Sequence, residues 1–92
     1  MKVYIAGKIT GDPNYREKFE RYAGIIKQSG HIPLSPAVIP DGLPLSDCMR
    51  ICFAMIDSAD MVYFIQDCKD SPGARLELMY CKYIGKPVSF FK

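Results

Sequence analysis

No apolar run in the 92-residue chain approaches the roughly 20 residues needed to span a bilayer, which excludes a membrane-spanning helix. The chain also lacks a strong charge of either sign. Its formal net charge is +2, with both signs spread along its length, so there is no basic stripe for a nucleic-acid polymer. It has one histidine and no CxxC pair among its four cysteines. Cys48 and Cys52 stand four apart in a helical pattern, but with no further nearby ligand the reading is ordinary thiols in a reducing compartment and no metal site. Neither GxGxxG nor GxxxxGK[ST] occurs, so the usual dinucleotide and P-loop fingerprints are missing. Repeats, low-complexity tracts and linkers are absent too. The N-terminal MKVYIAGKITG reads as a strand entering a turn and not as a signal peptide, which makes the cytoplasm the expected location.

What is present is a hydrophobic content of 49%, enough for one domain over residues 1–92 with a real core. Short β-rich runs alternate with longer helical ones. Strands are expected at 2–7, 31–35, 60–66 and 86–91, and helices at 14–30, 45–59 and 72–85. Asn14 is the expected cap of the first helix and Gly30 its stop, while Ser46 or Pro44 opens the second. Pro33 cannot donate to a ladder and puts the second strand at an edge. The run DMVYFIQ is apolar on both faces and reads as central. The segments 36–44 and 67–71 read as loops.

The order βαβαβαβ implies an α/β fold with a four-stranded parallel sheet and helices on both faces. Such sheets bind ligands beyond the carboxyl ends of their strands. That rim gathers GKITGDP, SPAVIP and DCKDSPG. The second and third helices are apolar around too much of their circumference for one sheet to cover, so a homodimer or higher homo-oligomer is expected. Surface-lying aromatic side chains are the alternative.

Two stretches carry candidate chemistry. Gly7 and Gly11 in GKITG let the backbone turn tightly and approach a ligand, although such glycine pairs also serve plain turns. In SPGARLE, Ser71 is the expected N-cap, Pro72 suits the first turn, and the N–H groups around Gly73 can hold an anion. Glu77 follows one turn later on the same side. It is a nucleophile or base candidate, or a carboxylate that only complements the helix dipole or pairs with Arg75 or Lys82. Tyr4 reads as core or as a stacking partner for a base. Asp67 and Asp70, on the loop facing the rim, are candidates for general acid or are solvated turn residues. Asp57 and Asp60 read as structural, and His31 lies far from the rim.

The segments YIAGKITG, NYREKFERYAGIIKQSGHIPLSPA, MRICFAMIDSADMVYF and SPGARLELMY together resemble the nucleoside 2-deoxyribosyltransferase-like superfamily over nearly the whole chain. The resemblance is stronger to its short bacterial and phage branch, the DUF4406 type. It implies a flavodoxin-like three-layer sandwich with strand order 2-1-3-4, no cofactor, a dimer, and a small nucleoside or nucleotide as ligand. It further implies cleavage of the N-glycosidic bond of a deoxynucleoside or its 5′-monophosphate, or deoxyribosyl transfer, with Glu77 attacking C1′. By the same resemblance Ser71 and Gly73 hold a phosphate, and Gly7, Ile9, Thr10 and Gly11 enclose the sugar-phosphate. The chain departs from the pattern at Cys52, where the enzymes usually carry an aspartate. It departs again at Thr10, where some phosphate-binding relatives have arginine, and at Ser35-Pro36-Ala37, where many short relatives read NPA. These departures keep open a nucleotide-binding protein without turnover, and, more remotely, an assembly protein whose apolar helices only associate.

Overall fold

Four consecutive residues, Val3 to Ala6, are all buried in strand β1 (Lys2–Ala6), so this strand must be covered on both faces. A computed structural model describing residues 1–92 shows how. Helix α1 (Tyr15–Gln28) covers one face, packing Phe19 and Ile26 against Val3 and Ile5. Strand β2 (Ile32–Leu34) follows, then a 3₁₀ turn at Pro36–Val38 and helix α2 (Leu45–Ser58). Strand β3 (Met61–Phe64), a second 3₁₀ turn at Gln66–Asp70, helix α3 (Pro72–Ile84) and strand β4 (Val88–Phe90) complete the chain.

The sheet is parallel throughout, as the alternation predicts, and its order is β2-β1-β3-β4, the one expected for a flavodoxin-like sandwich. Tyr4 sits opposite Leu34 on one side and Val62 on the other, and Val62 pairs in turn with Val88. The alternation of side chains along β1 sends Tyr4 and Ala6 to the face covered by α2 and α3. There they join Cys52, Ile56, Val62, Phe64, Ala74 and Cys81 in the larger core. Each large side chain buried in this way contributes about 1.5–3 kcal/mol. Pro33 lies at the sheet edge and β3 is interior, both for the reasons expected.

Several boundaries differ from the sequence reading because pairing stops sooner than hydropathy does. The strands at 31–35, 60–66 and 86–91 shorten to the three or four residues that find ladder partners. Asn14 makes no side-chain cap; its own N–H is instead taken by Asp12 Oδ1 at 2.9 Å. The segments read as loops contain the two 3₁₀ turns, the first capped by Ser35, whose hydroxyl accepts the Ala37 N–H. Apolar residues do remain exposed on α2 and α3, notably Leu45, Leu76, Met79 and Tyr83. No helix is long and apolar enough to cross a membrane.

Candidate functional site

In this topology the connection after β1 leads to one side of the sheet, through α1 to β2, whereas β3 lies on the other. A crevice therefore opens at the carboxyl ends of β1 and β3. A cavity of about 450 Å³ occupies it, within the range of small-molecule sites. Its floor is built from residues far apart in sequence: Tyr4 from β1, Cys52 from α2, and Glu77 from α3. The walls come from the β1–α1 connection, the proline-rich segment after β2 and the start of α3.

Helix α3 begins where the sequence says it should. Ser71 Oγ accepts the Ala74 N–H at 3.2 Å, and Pro72 occupies the first turn. One turn on, Glu77 is 5% exposed, and what exposure it has faces the cavity. Its carboxylate accepts the Tyr4 hydroxyl at 2.6 Å, and the Cys52 thiol stands beside it. Burial pushes the Glu77 carboxyl up to about 7, because water no longer solvates the charged form; the Tyr4 and Cys52 hydrogen bonds pull partly the other way. Burial likewise raises Cys52 to about 11 and lifts Tyr4 well above the usual phenol range, so both keep their protons. The site thus holds one carboxyl able to change charge near neutrality, with two neutral donors attending it. Pairing of Glu77 with Arg75 or Lys82 does not occur.

Tyr4 is both core and site. The ring is fully buried while the hydroxyl reaches the cavity floor. A hydrogen bond to a charged group is worth about 1.5–3 kcal/mol, so Tyr4→Phe should raise the Glu77 titration midpoint by on the order of one pH unit. A carboxyl-carbon NMR titration of Glu77 would check this, and an unmoved midpoint would contradict the pairing.

Gly7, Ile9, Thr10, Ser71 and Gly73 line the cavity together with Glu77. A Cβ at Gly7 would lie 3.1 Å from Ile65 Cβ and 3.2 Å from Asp67 Oδ1, tight enough that a side chain there would press on the Asp67 carboxylate. Gly11 turns the chain with φ +86 but lies outside the lining. Asp67 and Asp70 require a correction, for neither lines the cavity. Asp70 is exposed at the end of its 3₁₀ turn. Asp67 is engaged elsewhere: it accepts the Lys8 N–H at 3.0 Å and pairs with Lys18. Lys18 in turn donates to the Lys8 carbonyl at 2.8 Å and pairs with Asp12. Both polar groups of the Lys8 backbone are therefore held by one carboxylate–ammonium pair, directly between the lining residues Gly7 and Ile9.

This clamp fixes the cavity wall without touching the cavity. Asp67→Ala should cost on the order of 1–3 kcal/mol of stability, the penalty for orphaning the partly buried Lys8 N–H, while Lys18 keeps Asp12 and the Lys8 carbonyl. It should also speed amide hydrogen exchange at Lys8 specifically. Exchange at Lys8 no faster than in the parent chain would refute the clamp.

Sequence reasoning missed the wall contributed by Tyr15, Ile39, Asp41, Leu43, Leu45, Cys48 and Met49. For Ile39, Asp41 and Leu43 the signal was the proline-rich segment after β2, whose start topology already placed on the rim; Tyr15 on α1 and Leu45, Cys48 and Met49 on α2 carried none. Asp41 is exposed and tied to the Tyr15 hydroxyl at 2.9 Å and to Arg16 at 3.1 Å, contacts that hold its carboxyl below the usual range.

A family model described as a domain of unknown function, DUF4406, matches residues 1–90. Among solved structures, a 2-deoxyribosyltransferase from the psychrotolerant bacterium Bacillus psychrosaccharolyticus superposes with a TM-score of 0.78 at 22% identity, over 99% of this chain and 72% of that one. A 2-deoxyribosyltransferase from Leishmania mexicana superposes with a TM-score of 0.77 at 21% identity, over 98% of this chain and 63% of that one. No curated protein sequence matches the chain. At such identities the likeness is one of fold.

Proposed function

The chain belongs to the DUF4406 family and has the fold of the 2-deoxyribosyltransferases, and from that premise we propose that it cleaves the N-glycosidic bond of a small deoxynucleoside or deoxynucleotide through Glu77. One observation carries the reading: a nearly buried carboxylate opens on a cavity of ligand size, and a tyrosine hydroxyl orients it.

The chemistry follows from that geometry. As the base departs, the sugar carbon develops oxocarbenium character, which an adjacent carboxylate stabilises and then traps. The C1′–N bond breaks with its electron pair going to the base nitrogen, which takes a proton from solvent. A bond forms between C1′ and a Glu77 oxygen. Water then attacks C1′ and releases a proton to solvent, giving hydrolysis, or a ring nitrogen of a second base attacks and loses its N–H proton the same way, giving transfer; the C1′–O bond breaks and Glu77 leaves as the carboxylate. Tyr4 keeps the attacking oxygen pair from rotating away, so the reacting atoms are positioned before the bond breaks. Ile39, Leu43 and Leu76 line part of the cavity, so a bound ligand displaces water from much of its own surface while the open rim leaves solvent access for the proton and the attacking water.

The test is to incubate the protein with deoxynucleosides and their 5′-monophosphates, with and without an added acceptor base, and to separate the products by chromatography. Free base, or an exchanged nucleoside when acceptor is present, is the expected result. No product from any member of the panel would reject the reading.

A second reading, a nucleoside-binding module without turnover, is favoured by Cys52. It places beside Glu77 a thiol pushed up to about 11 by burial, too weak an acid to hand the departing base a proton near neutrality, so protonation is left to solvent. Ligand-induced thermal stabilisation with no free base would select it. The four free cysteines agree with a reducing compartment such as the cytoplasm, and exposed Leu76, Met79 and Tyr83 with burial against a second copy.

A further inference from the structure

We propose that Asp41 is a positioning residue that latches the segment Pro40–Leu43 over the cavity and so sets how readily ligand is captured; only the kinetic half of this inference rests on the N-glycosidic reading. All four residues of the segment line the cavity, yet none of them makes a backbone hydrogen bond to the rest of the chain. The segment belongs to no helix or strand, and it turns at Gly42 with a φ of +94 that favours glycine. Its neighbours on either side are fixed. The Ile39 N–H goes to the Pro36 carbonyl at 3.1 Å, and the Pro44 carbonyl accepts from Asp47 and Cys48 at the start of α2. What lies between is a flap with two anchored ends.

Asp41 supplies the tie at the tip. Its Oδ1 accepts the Tyr15 hydroxyl at 2.9 Å and the Arg16 guanidinium at 3.1 Å. Both partners open α1, and both are held independently of the flap. The Tyr15 ring packs edge-on against the fully buried Phe19. Arg16 lies over the Tyr15 ring and donates to the Ala37 and Ile39 carbonyls, which precede the flap. Tyr15 and Arg16 hold the Asp41 carboxyl below the usual range, so it stays charged near neutrality. The other polar tie is weak: the half-buried Cys48 thiol faces the Leu43 carbonyl from 3.9 Å. The Asp41 carboxylate is itself exposed, so water screens the latch and it opens at small cost. A ligand entry point requires this combination, a wall closed most of the time and released without unfolding.

Cys48 reports on the flap without any turnover, because its thiol lines the cavity against Leu43. The parent chain, Asp41→Ala, Tyr15→Phe and the double variant are pulsed with N-ethylmaleimide and digested with trypsin, which cuts after Arg50 and so separates Cys48 from Cys52. Asp41→Ala should label at Cys48 about threefold faster or more, with the fully buried Cys81 unchanged. Tyr15→Phe should share that effect, and the double variant should add nothing to Asp41→Ala. In base release, Asp41→Ala should raise KM by a similar factor and leave kcat within about twofold. Labelling of Cys48 at the parent rate overturns the inference. Equal acceleration at Cys81 also overturns it, since the whole fold has then loosened, and so do additive effects in the double variant. A fall in kcat at unchanged KM overturns it by making Asp41 part of the chemistry. Faster Cys48 labelling with no base release from the parent chain keeps the latch and removes the N-glycosidic reading.

Discussion

Glu77→Ala and Glu77→Gln are expected to lower base release by on the order of 10³-fold or more, as removal of a covalent nucleophile does elsewhere. Neither substitution should unfold the chain, since Glu77 makes no ion pair and Tyr4 keeps its packing in the core. The parent chain should show a pH signature that the variants lack. Only the ionised carboxylate attacks, and Glu77 ionises near 7 because it is buried. The rate should therefore climb about tenfold between pH 6 and pH 8 and then level off. Residual base release in Glu77→Gln within tenfold of the parent would assign the chemistry to another group. A parent rate flat across this range would show that the titrating carboxyl is not the one that attacks.

The same burial predicts a stability effect of opposite sense. Glu77 sits at about 7 in the fold against 4.5 for the unperturbed group. Between those values the folded chain binds the proton more tightly than the unfolded chain, so stability falls as pH rises. The contribution is fully present below 4.5 and lost by the time pH passes 7, a difference of about 3 kcal/mol. Gln cannot ionise, and its side-chain oxygen still accepts from Tyr4. Glu77→Gln should therefore match the parent near pH 4.5 and exceed it at pH 8 by on the order of 10 °C in Tm. A misfit of the amide would shift all pH values equally, so the pH dependence of the difference is the quantity to read. A constant difference would mean that Glu77 is well solvated in the fold. Taken with the first prediction, a single substitution that abolishes turnover and raises stability marks a residue kept at a cost for chemistry.

How much of this was legible beforehand differs between elements. α3 was readable to within a residue because its signals are local: Ser71 caps, Pro72 starts, and apolar residues continue to Ile84. β3 was recognisable as central because a strand apolar on both faces has to be covered twice. The ends of β2, β3 and β4 were not, since a strand ends where its neighbour stops pairing, and no local residue records that. The acid candidates fared worst. Position on a rim loop said that Asp67 was near the site, but only packing shows its carboxylate turned to Lys18 and the Lys8 amide.

Local signals were enough for the class of fold, the edge and central strands, and the helix start that carries Ser71, Gly73 and Glu77. These follow from periodicity, from proline and glycine, and from capping chemistry, all of which act over a few residues. Tertiary structure alone decided that Tyr4, 73 positions earlier in the chain, reaches the Glu77 carboxylate, and that Cys52 adjoins the pair. The reason is that burial and hydrogen bonding depend on what is brought alongside from distant segments. A carboxylate on a helix is an ordinary surface charge until β1 and α2 close over it.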